Sequence, residues 1–167
     1  MTILKNIEHY LVKAKNIYSI TFIILFAFSL SIILNVITRS LNPETDIDNM
    51  KYYNSIGEMI IFGIFLAPII ETFLFQYLFF TILAKRNMKI GYIILISSLF
   101  FSLIHIPRNF SILDSFNAFV VGLVFGYAYK IFLLKKEPPF WFIVLIHAGL
   151  NFIGILLYYI GILFYFN

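Results

Sequence analysis

The chain has 167 residues, of which 62% are hydrophobic and only 12% carry a charge. A soluble domain of this size cannot bury so much apolar surface, so the composition indicates a membrane protein. Cysteine is absent, which excludes disulfides, thiolate nucleophiles and cysteine-bound metals. The net charge of +4 arises from lysines and arginines spread over short loops, so we expect no binding to nucleic acid.

Residues 1–38 are predicted to form an N-terminal segment and the first span. Ile3, Leu4, Ile7 and Leu11 recur at helical spacing beside lysines, which is typical of a helix lying in the headgroup plane. The alternative is a frayed basic tail. The uncharged run Ile17–Thr38 follows and is long enough to cross a bilayer.

Four further apolar runs complete a set of about five spanning helices. They are Met59–Ala84, Ile90–Ile106, Ser115–Leu134 and Phe140–Phe166. Ser55-Ile-Gly-Glu58 has the form of a capping box that begins the second span. Small residues at Ala118, Gly122 and Gly126 predict close helix packing in the fourth span. The predicted fold is an all-α, polytopic transmembrane bundle with one membrane domain over residues 1–167, whose motif-bearing core is 55–166.

The positive residues predict the orientation of the bundle. Nine of the twelve lysines and arginines fall on one side of the predicted spans. These are Lys5, Lys13, Lys15, Lys85, Arg86, Lys89, Lys130, Lys135 and Lys136, against Arg39, Lys51 and Arg108 on the other side. Cytoplasmic loops collect positive charge, so we expect a multi-pass cell-membrane protein with a cytoplasmic N-terminus and an external C-terminus. Lys130 lies near a span end and is expected to reach water.

Four polar side chains interrupt the apolar runs: Glu71, His105, His147 and Asn151. An ionisable group near the bilayer centre costs roughly 2.5–3.5 kcal/mol on insertion scales, so such a residue indicates function. At 1.5 Å per residue, the four lie about 10–22 Å from the lysine-rich boundary. His147 and Asn151 are four residues apart and therefore project from one helix face.

Pro68 lies within the second predicted span, three residues before Glu71. Proline has no backbone N–H, so Pro68 is expected to leave the carbonyl of Ile64 without its helical donor. Freed backbone at membrane depth is tolerated only beside protein or a water-filled cavity. Pro68 and Glu71 together therefore predict a hydrated pocket between helices.

Three short motifs occur in a fixed order at membrane depth. They are Ala67-Pro68-x-x-Glu71, Phe101-x-x-x-His105 and His147-x-x-x-Asn151. Their order resembles the CAAX-protease and bacteriocin-processing family of intramembrane glutamate endopeptidases, also called the Abi family, whose motifs are Glu-Glu-x-x-x-Arg, Phe-x-x-x-His and His-x-x-x-Asn/Asp. The resemblance extends from Glu58 to about Gly154.

The resemblance implies a catalytic set without metal or cofactor. Glu71 and His105 would activate a water that attacks a peptide carbonyl, and His147 with Asn151 would stabilise the oxyanion. Thr72 and Gln76 stand where the family has its second glutamate and its arginine. We expect these two to hydrogen-bond one another and, together with Phe101, to support the catalytic set.

Three functions remain open on the sequence. The first is an intramembrane endopeptidase that processes a membrane-bound peptide or leader, with membrane lipid and the substrate as its partners. The alternative is a non-catalytic bacteriocin-immunity or membrane-interaction protein of the same fold, and a small transporter or proton relay is third. A minority reading has Glu71, His105 and His147 bind zinc. The oligomeric state is left open.

Overall fold

The computed structural model describes residues 3–41, 55–106 and 112–165. All regular structure in these ranges is helical, which confirms the predicted all-α bundle. The helices are α1 Ile3–Lys13, α2 Asn16–Leu41, α3 Ile56–Lys85, α4 Ile90–Leu103, α5 Ile112–Leu134 and α6 Pro139–Tyr165. Lys51 and Arg108, assigned to the second side of the membrane, and Phe166, the predicted end of the last span, lie outside the described residues.

Four of the helices, α2, α3, α5 and α6, contain segments long and apolar enough to cross a membrane. The remaining apolar helix, α4, has 14 residues, or about 21 Å against a hydrocarbon core of about 30 Å. The third predicted span had been extended to Ile106, but the helix ends at Leu103 and His105 lies in the turn that follows.

Helix α3 begins as predicted and then departs from regular α-helix. The hydroxyl of Ser55 accepts a hydrogen bond from the backbone N–H of Glu58 at 3.1 Å, which confirms the N-terminal cap. Two stretches, Ile60–Leu66 and Thr72–Tyr77, are π-helical. In a π-helical turn the backbone bonds skip one extra residue, and such turns are often found at functional sites.

Helix α5 lies at the centre of the bundle. The largest fully buried side chains lie on α5 and on α6 packed beside it. They are Phe125, Ile131, Phe132, Ile143 and Ile146. The outer faces of the bundle expose many large apolar side chains, as expected for helices that contact lipid.

Small residues allow α5 to approach α4 closely, as their spacing predicted. A Cβ atom placed on Gly122 would lie 3.1 Å from the Cα of Ser98 and 3.2 Å from the ring of Phe101. A Cβ on Gly126 would lie 2.9 Å from the side chain of Ile94. The two backbones can therefore meet only because these positions lack side chains.

The short helix α1 is attached to the end of α5 by two lysines. Lys130 donates to the carboxylate of Glu8, which also accepts from the hydroxyl of Tyr127 at 2.8 Å. Lys135 donates to the backbone carbonyls of Leu11 and Ala14, at 2.9 and 2.6 Å. The sequence predicts a solvated Lys130; 22% of its side chain is exposed, and the α1 helix also brings the carboxylate of Glu8 within its reach.

We expect the attachment of α1 to weaken in acid. The hydrogen bond from Lys130 is the main reason why the pKa of Glu8 is below its ordinary value. A carboxyl whose pKa is lowered on folding stabilises the folded form above its ordinary pKa, and this contribution disappears as the pH falls through the lowered pKa. Hydrogen-exchange protection of the α1 amides should therefore be full at neutral pH and fall in acid. In Glu8→Gln this pH dependence should vanish; an unchanged pH dependence in that variant would contradict the assignment.

The close contact between α4 and α5 predicts that Gly122→Ala destabilises the protein. The added methyl group must displace Ser98 backbone or the Phe101 ring, and such overpacking typically costs about 1–3 kcal/mol. Thermal unfolding in detergent should show a lower midpoint. Gly154→Ala is the matched control, because no atom lies within 4 Å of its added Cβ and alanine favours helix over glycine. Equal midpoints for the two variants would refute the packing argument.

Candidate active site

Helices α3 and α6 run antiparallel, and three contacts define their register. The Asn151 amide meets the carbonyl of Gly63, Glu71 faces His147, and the ring of Tyr77 lies 5.9 Å from that of Phe140. Residue numbers rise along α3 as they fall along α6. The acid–imidazole contact therefore lies between an amide contact on one side and an aromatic contact on the other.

Glu71 and His147 form the centre of the site. The Glu71 Oε2 and His147 Nε2 atoms are 3.7 Å apart. Glu71 is 7% exposed and His147 5% exposed, so both polar groups are largely withdrawn from the surroundings of the bundle. The distance is longer than a good hydrogen bond.

His105 reaches the site from the turn after α4 and is held by its own backbone. Its Nδ1 lies 2.7 Å from the carbonyl oxygen of Phe101. A carbonyl can only accept, so Nδ1 carries the proton and the neutral ring keeps its lone pair on Nε2. This nitrogen is therefore the one that can accept a proton or a hydrogen bond from a substrate or a water.

The ring of Phe101 connects the two histidines. Its centroid lies 4.8 Å from the His105 ring and 6.0 Å from the His147 ring. Phe125 packs on the other side of His147 at 4.7 Å. The two imidazoles thus pack against the same aromatic side chain, that of Phe101.

Asn151 takes the place of a missing backbone donor. In the first π-helical stretch the N–H of Ala67 bonds the carbonyl of Phe62, five residues earlier. The same pattern would pair residue 68 with Gly63, but Pro68 has no N–H. The Nδ2 group of Asn151 donates to the Gly63 carbonyl at 2.7 Å instead. With α-helical bonding, which the sequence predicts, Pro68 would leave the carbonyl of Ile64 without its donor. With the π-helical bonding of this stretch, the corresponding carbonyl is that of Gly63.

A second side chain meets the second π-helical stretch in the same way. The hydroxyl of Ser97 on α4 donates to the carbonyl of Phe75 at 2.7 Å, and both residues are buried. The N–H of Leu78 bonds Phe73, which again spans five residues. Each irregular stretch of α3 therefore receives a side-chain donor from a neighbouring helix.

Four buried polar atoms near Glu71 have no hydrogen-bond partner among the described residues. They are Thr72 Oγ1, Gln76 Nε2, Gln76 Oε1 and His147 Nδ1. The predicted hydrogen bond between Thr72 and Gln76 is therefore wrong, and the two residues lie in the π-helical stretch, where α-helical neighbour relations do not hold. An unsatisfied buried polar group costs about 1–3 kcal/mol of folding free energy, so these atoms indicate a role other than stabilising the bundle.

No group of three or more His, Asp or Glu side chains within the described ranges is arranged to hold a metal ion.

The structure brings Glu71 and His147 into direct contact, links His105 to His147 through Phe101, and directs one N–H of Asn151 toward Gly63.

Sequence reasoning missed the roles of Gly63 and Ser97. The available signals were a proline five residues after Gly63 and a serine inside an apolar run. Neither signal identifies its partner, because π-helical bonding and the pairing of α3 with α4 are properties of the folded bundle.

The protein is thus a helical bundle with candidate membrane spans, and its candidate site contains a buried carboxylate beside an imidazole. The model of the type II CAAX prenyl endopeptidase Rce1-like family matches residues 55–153, more than half of the chain. The chain therefore belongs to this family of intramembrane proteases, which confirms the resemblance seen in its motifs. No curated protein and no solved structure matches the chain.

The role of Asn151 toward Gly63 predicts a coupling with Pro68. Asn151→Ala should lower the unfolding midpoint in detergent, since a buried carbonyl loses its donor at a cost of about 1 kcal/mol. Pro68→Ala supplies a backbone N–H to the same stretch, so Asn151→Ala should cost clearly less in that background.

The matched control for this cycle is Asn117→Ala. Asn117 on α5 also forms a hydrogen bond between two helices, donating to Asn35 on α2 at 2.9 Å. This hydrogen bond does not involve α3, the helix that contains Pro68. Its effect should be the same with and without Pro68→Ala. An equal cost of Asn151→Ala in both backgrounds would show that Asn151 does not replace the missing donor.

Proposed function

We propose that the protein is an intramembrane endopeptidase that hydrolyses a peptide bond of a membrane-bound peptide or leader. The observation that carries this proposal is the buried contact between Glu71 and His147 at 3.7 Å. Family membership supports the protease class. The buried polar atoms around the pair support a site that receives a polar ligand, because a peptide group or water can satisfy them.

Glu71 is the general base in this proposal. Its carboxylate takes a proton from a water molecule as the water oxygen forms a bond with the peptide carbonyl carbon. In this proposal His105 orients the same water: its Nδ1 is bonded to the carbonyl of Phe101, so Nε2 is the ring nitrogen that accepts the second hydrogen of the water. The two residues together direct the oxygen lone pair of the water at the carbonyl.

His147 and Asn151 stabilise the negative charge that develops on the carbonyl oxygen. His147 Nδ1 has no partner within the described residues, so a proton on Nδ1 can be donated to the oxyanion. That tautomer leaves the lone pair of Nε2 toward Glu71, which by then holds the proton from water. Asn151 has a second N–H besides the one bonded to Gly63. In other enzymes one such donor is worth about 2.7–4 kcal/mol.

The reaction ends when the carbon–nitrogen bond breaks and Glu71 returns its proton to the leaving amine. Water has then supplied the hydroxyl of the new carboxyl group and one hydrogen of the new amine. No metal or cofactor takes part in this scheme.

The nine lysines and arginines on one side of the predicted spans support a cytoplasmic N-terminus and an external C-terminus.

A non-catalytic immunity or membrane-interaction protein is the second candidate. Thr72 and Gln76 favour it, because they replace the charged pair of the family motif and have no mutual hydrogen bond. Loss of such support often reduces catalytic rate. The same unpartnered groups would then bind a peptide without cleaving it.

Replacement of Glu71 tests the proposal. Glu71→Gln keeps the size of the side chain but cannot accept a proton, so cleavage of membrane-bound peptides by the purified protein should fall by about 10²-fold or more. Glu137→Gln is the matched control; this glutamate bonds Asn16 at 3.0 Å at another part of the chain and should leave the rate unchanged. Unfolding midpoints of both variants should remain close to that of the native protein.

Equal cleavage by the native protein and Glu71→Gln would remove Glu71 as the base. If neither protein cleaves and both protect cells against a peptide toxin, the immunity function replaces the protease.

A further inference from the structure

A groove of about 490 Å³ opens where α3, α4 and α5 meet. It lies toward the C-terminal end of α3, whereas Asn151 contacts Gly63 near the N-terminal end of that helix. It is bounded by the turn between α3 and α4 and by the last turns of α5. Its main lining residues are Phe80, Thr81, Met88, Ile93, Tyr129 and Leu133. None of these residues belongs to the catalytic set.

Three positive side chains lie on the turn that bounds the groove, which we call its mouth, beside the lining residues Ala84, Met88 and Ile90. Lys85, Arg86 and Lys89 lie within five consecutive residues of the connecting turn, all exposed and without an acidic residue among them. The turn itself is well defined. Asn87 has a left-handed backbone with φ of 56°, its N–H bonds Ala84, and the next N–H, that of Met88, bonds Leu83. This is the bonding pattern of a Schellman motif, which fixes the direction of the flanking side chains.

The groove is lined by the hydroxyl-bearing residues Thr81 and Tyr129. The ring of Tyr129 packs against Phe80 at 4.3 Å, and the residue is 5% exposed. Within the described part of the chain its hydroxyl makes no hydrogen bond. Phe80, against which Tyr129 packs, precedes Lys85 by five residues of α3, so this ring pair lies about 8 Å along the helix from the first of the positive residues.

The geometry points to a binding site for one anionic phospholipid. We propose that its phosphate binds Lys85, Arg86 and Lys89, that a glycerol ester carbonyl accepts from the Tyr129 hydroxyl, and that an acyl chain lies along Phe80 and Ile93. The groove presents positive charge at its mouth, hydroxyl-bearing side chains and apolar surface, which match the phosphate, ester and hydrocarbon of a phospholipid.

The charge at the mouth selects this occupant over others. A zwitterionic lipid adds a positive choline or ethanolamine group beside three cations, which is unfavourable. A free phosphate ion matches the cations but leaves the apolar groove and the Tyr129 hydroxyl without partners. An anionic lipid satisfies all three parts of the groove at once.

Native mass spectrometry of protein released from nanodiscs tests the site. The nanodiscs contain phosphatidylglycerol and phosphatidylcholine in equal amounts, and the measured quantity is the ratio of the two lipids retained by the full chain. We expect the native protein to retain phosphatidylglycerol over phosphatidylcholine by about tenfold or more, since each of three cations favours the anionic headgroup. Lys85→Gln/Arg86→Gln/Lys89→Gln should abolish this preference, and Tyr129→Phe should reduce total lipid retention.

The control variant is Lys5→Gln/Lys13→Gln/Lys15→Gln, which removes three exposed charges from the N-terminal segment. It should keep the lipid preference of the native protein. Equal losses in the two triple variants would show only a general surface attraction and would overturn the site. Equal retention of the two lipids, or displacement of the lipid by inorganic phosphate, would also overturn it. The measurement needs no peptide cleavage, so its outcome is independent of the proposed protease function.

Discussion

The structure depends on one constraint, that every backbone carbonyl of a helix in lipid needs a hydrogen-bond donor. Helix α3 departs from regular α-helical bonding twice, and in each stretch a side chain of an adjacent helix donates to one of its carbonyls. Asn151 on α6 meets Gly63, and Ser97 on α4 meets Phe75. Because these contacts tie chosen points of α3 to its neighbours, they fix the depth and rotation at which Glu71 is presented.

Near Glu71, some buried polar groups have hydrogen-bond partners and others have none among the described residues. The backbone irregularities have donors, yet Thr72, Gln76 and one nitrogen of His147 have no partner within the described residues. A bundle selected only for stability would replace such groups by apolar side chains, which cost nothing to bury. Polar groups of this kind are kept where a ligand or water supplies the missing bonds during the working cycle.

Composition and motif order were sufficient to predict the helical bundle, the family and the cap at Ser55. They were sufficient because hydrophobic run length and local capping depend on neighbours in the sequence. The same reasoning failed for the Thr72–Gln76 hydrogen bond, and it did not identify Gly63 as the carbonyl that Asn151 meets. Both depend on the π-helical bonding of α3, which spacing rules for a regular helix do not contain.

Lys135 has a consequence for how the N-terminal segment can evolve. Its ammonium group holds α1 through the main-chain oxygens of Leu11 and Ala14. Every amino acid carries such an oxygen, so changes of side chain at these two places leave the link intact. This part of the attachment therefore depends on one side chain, that of Lys135 directly after α5, and is independent of side-chain identity on the α1 side, whereas the Glu8–Lys130 contact requires both of its partners.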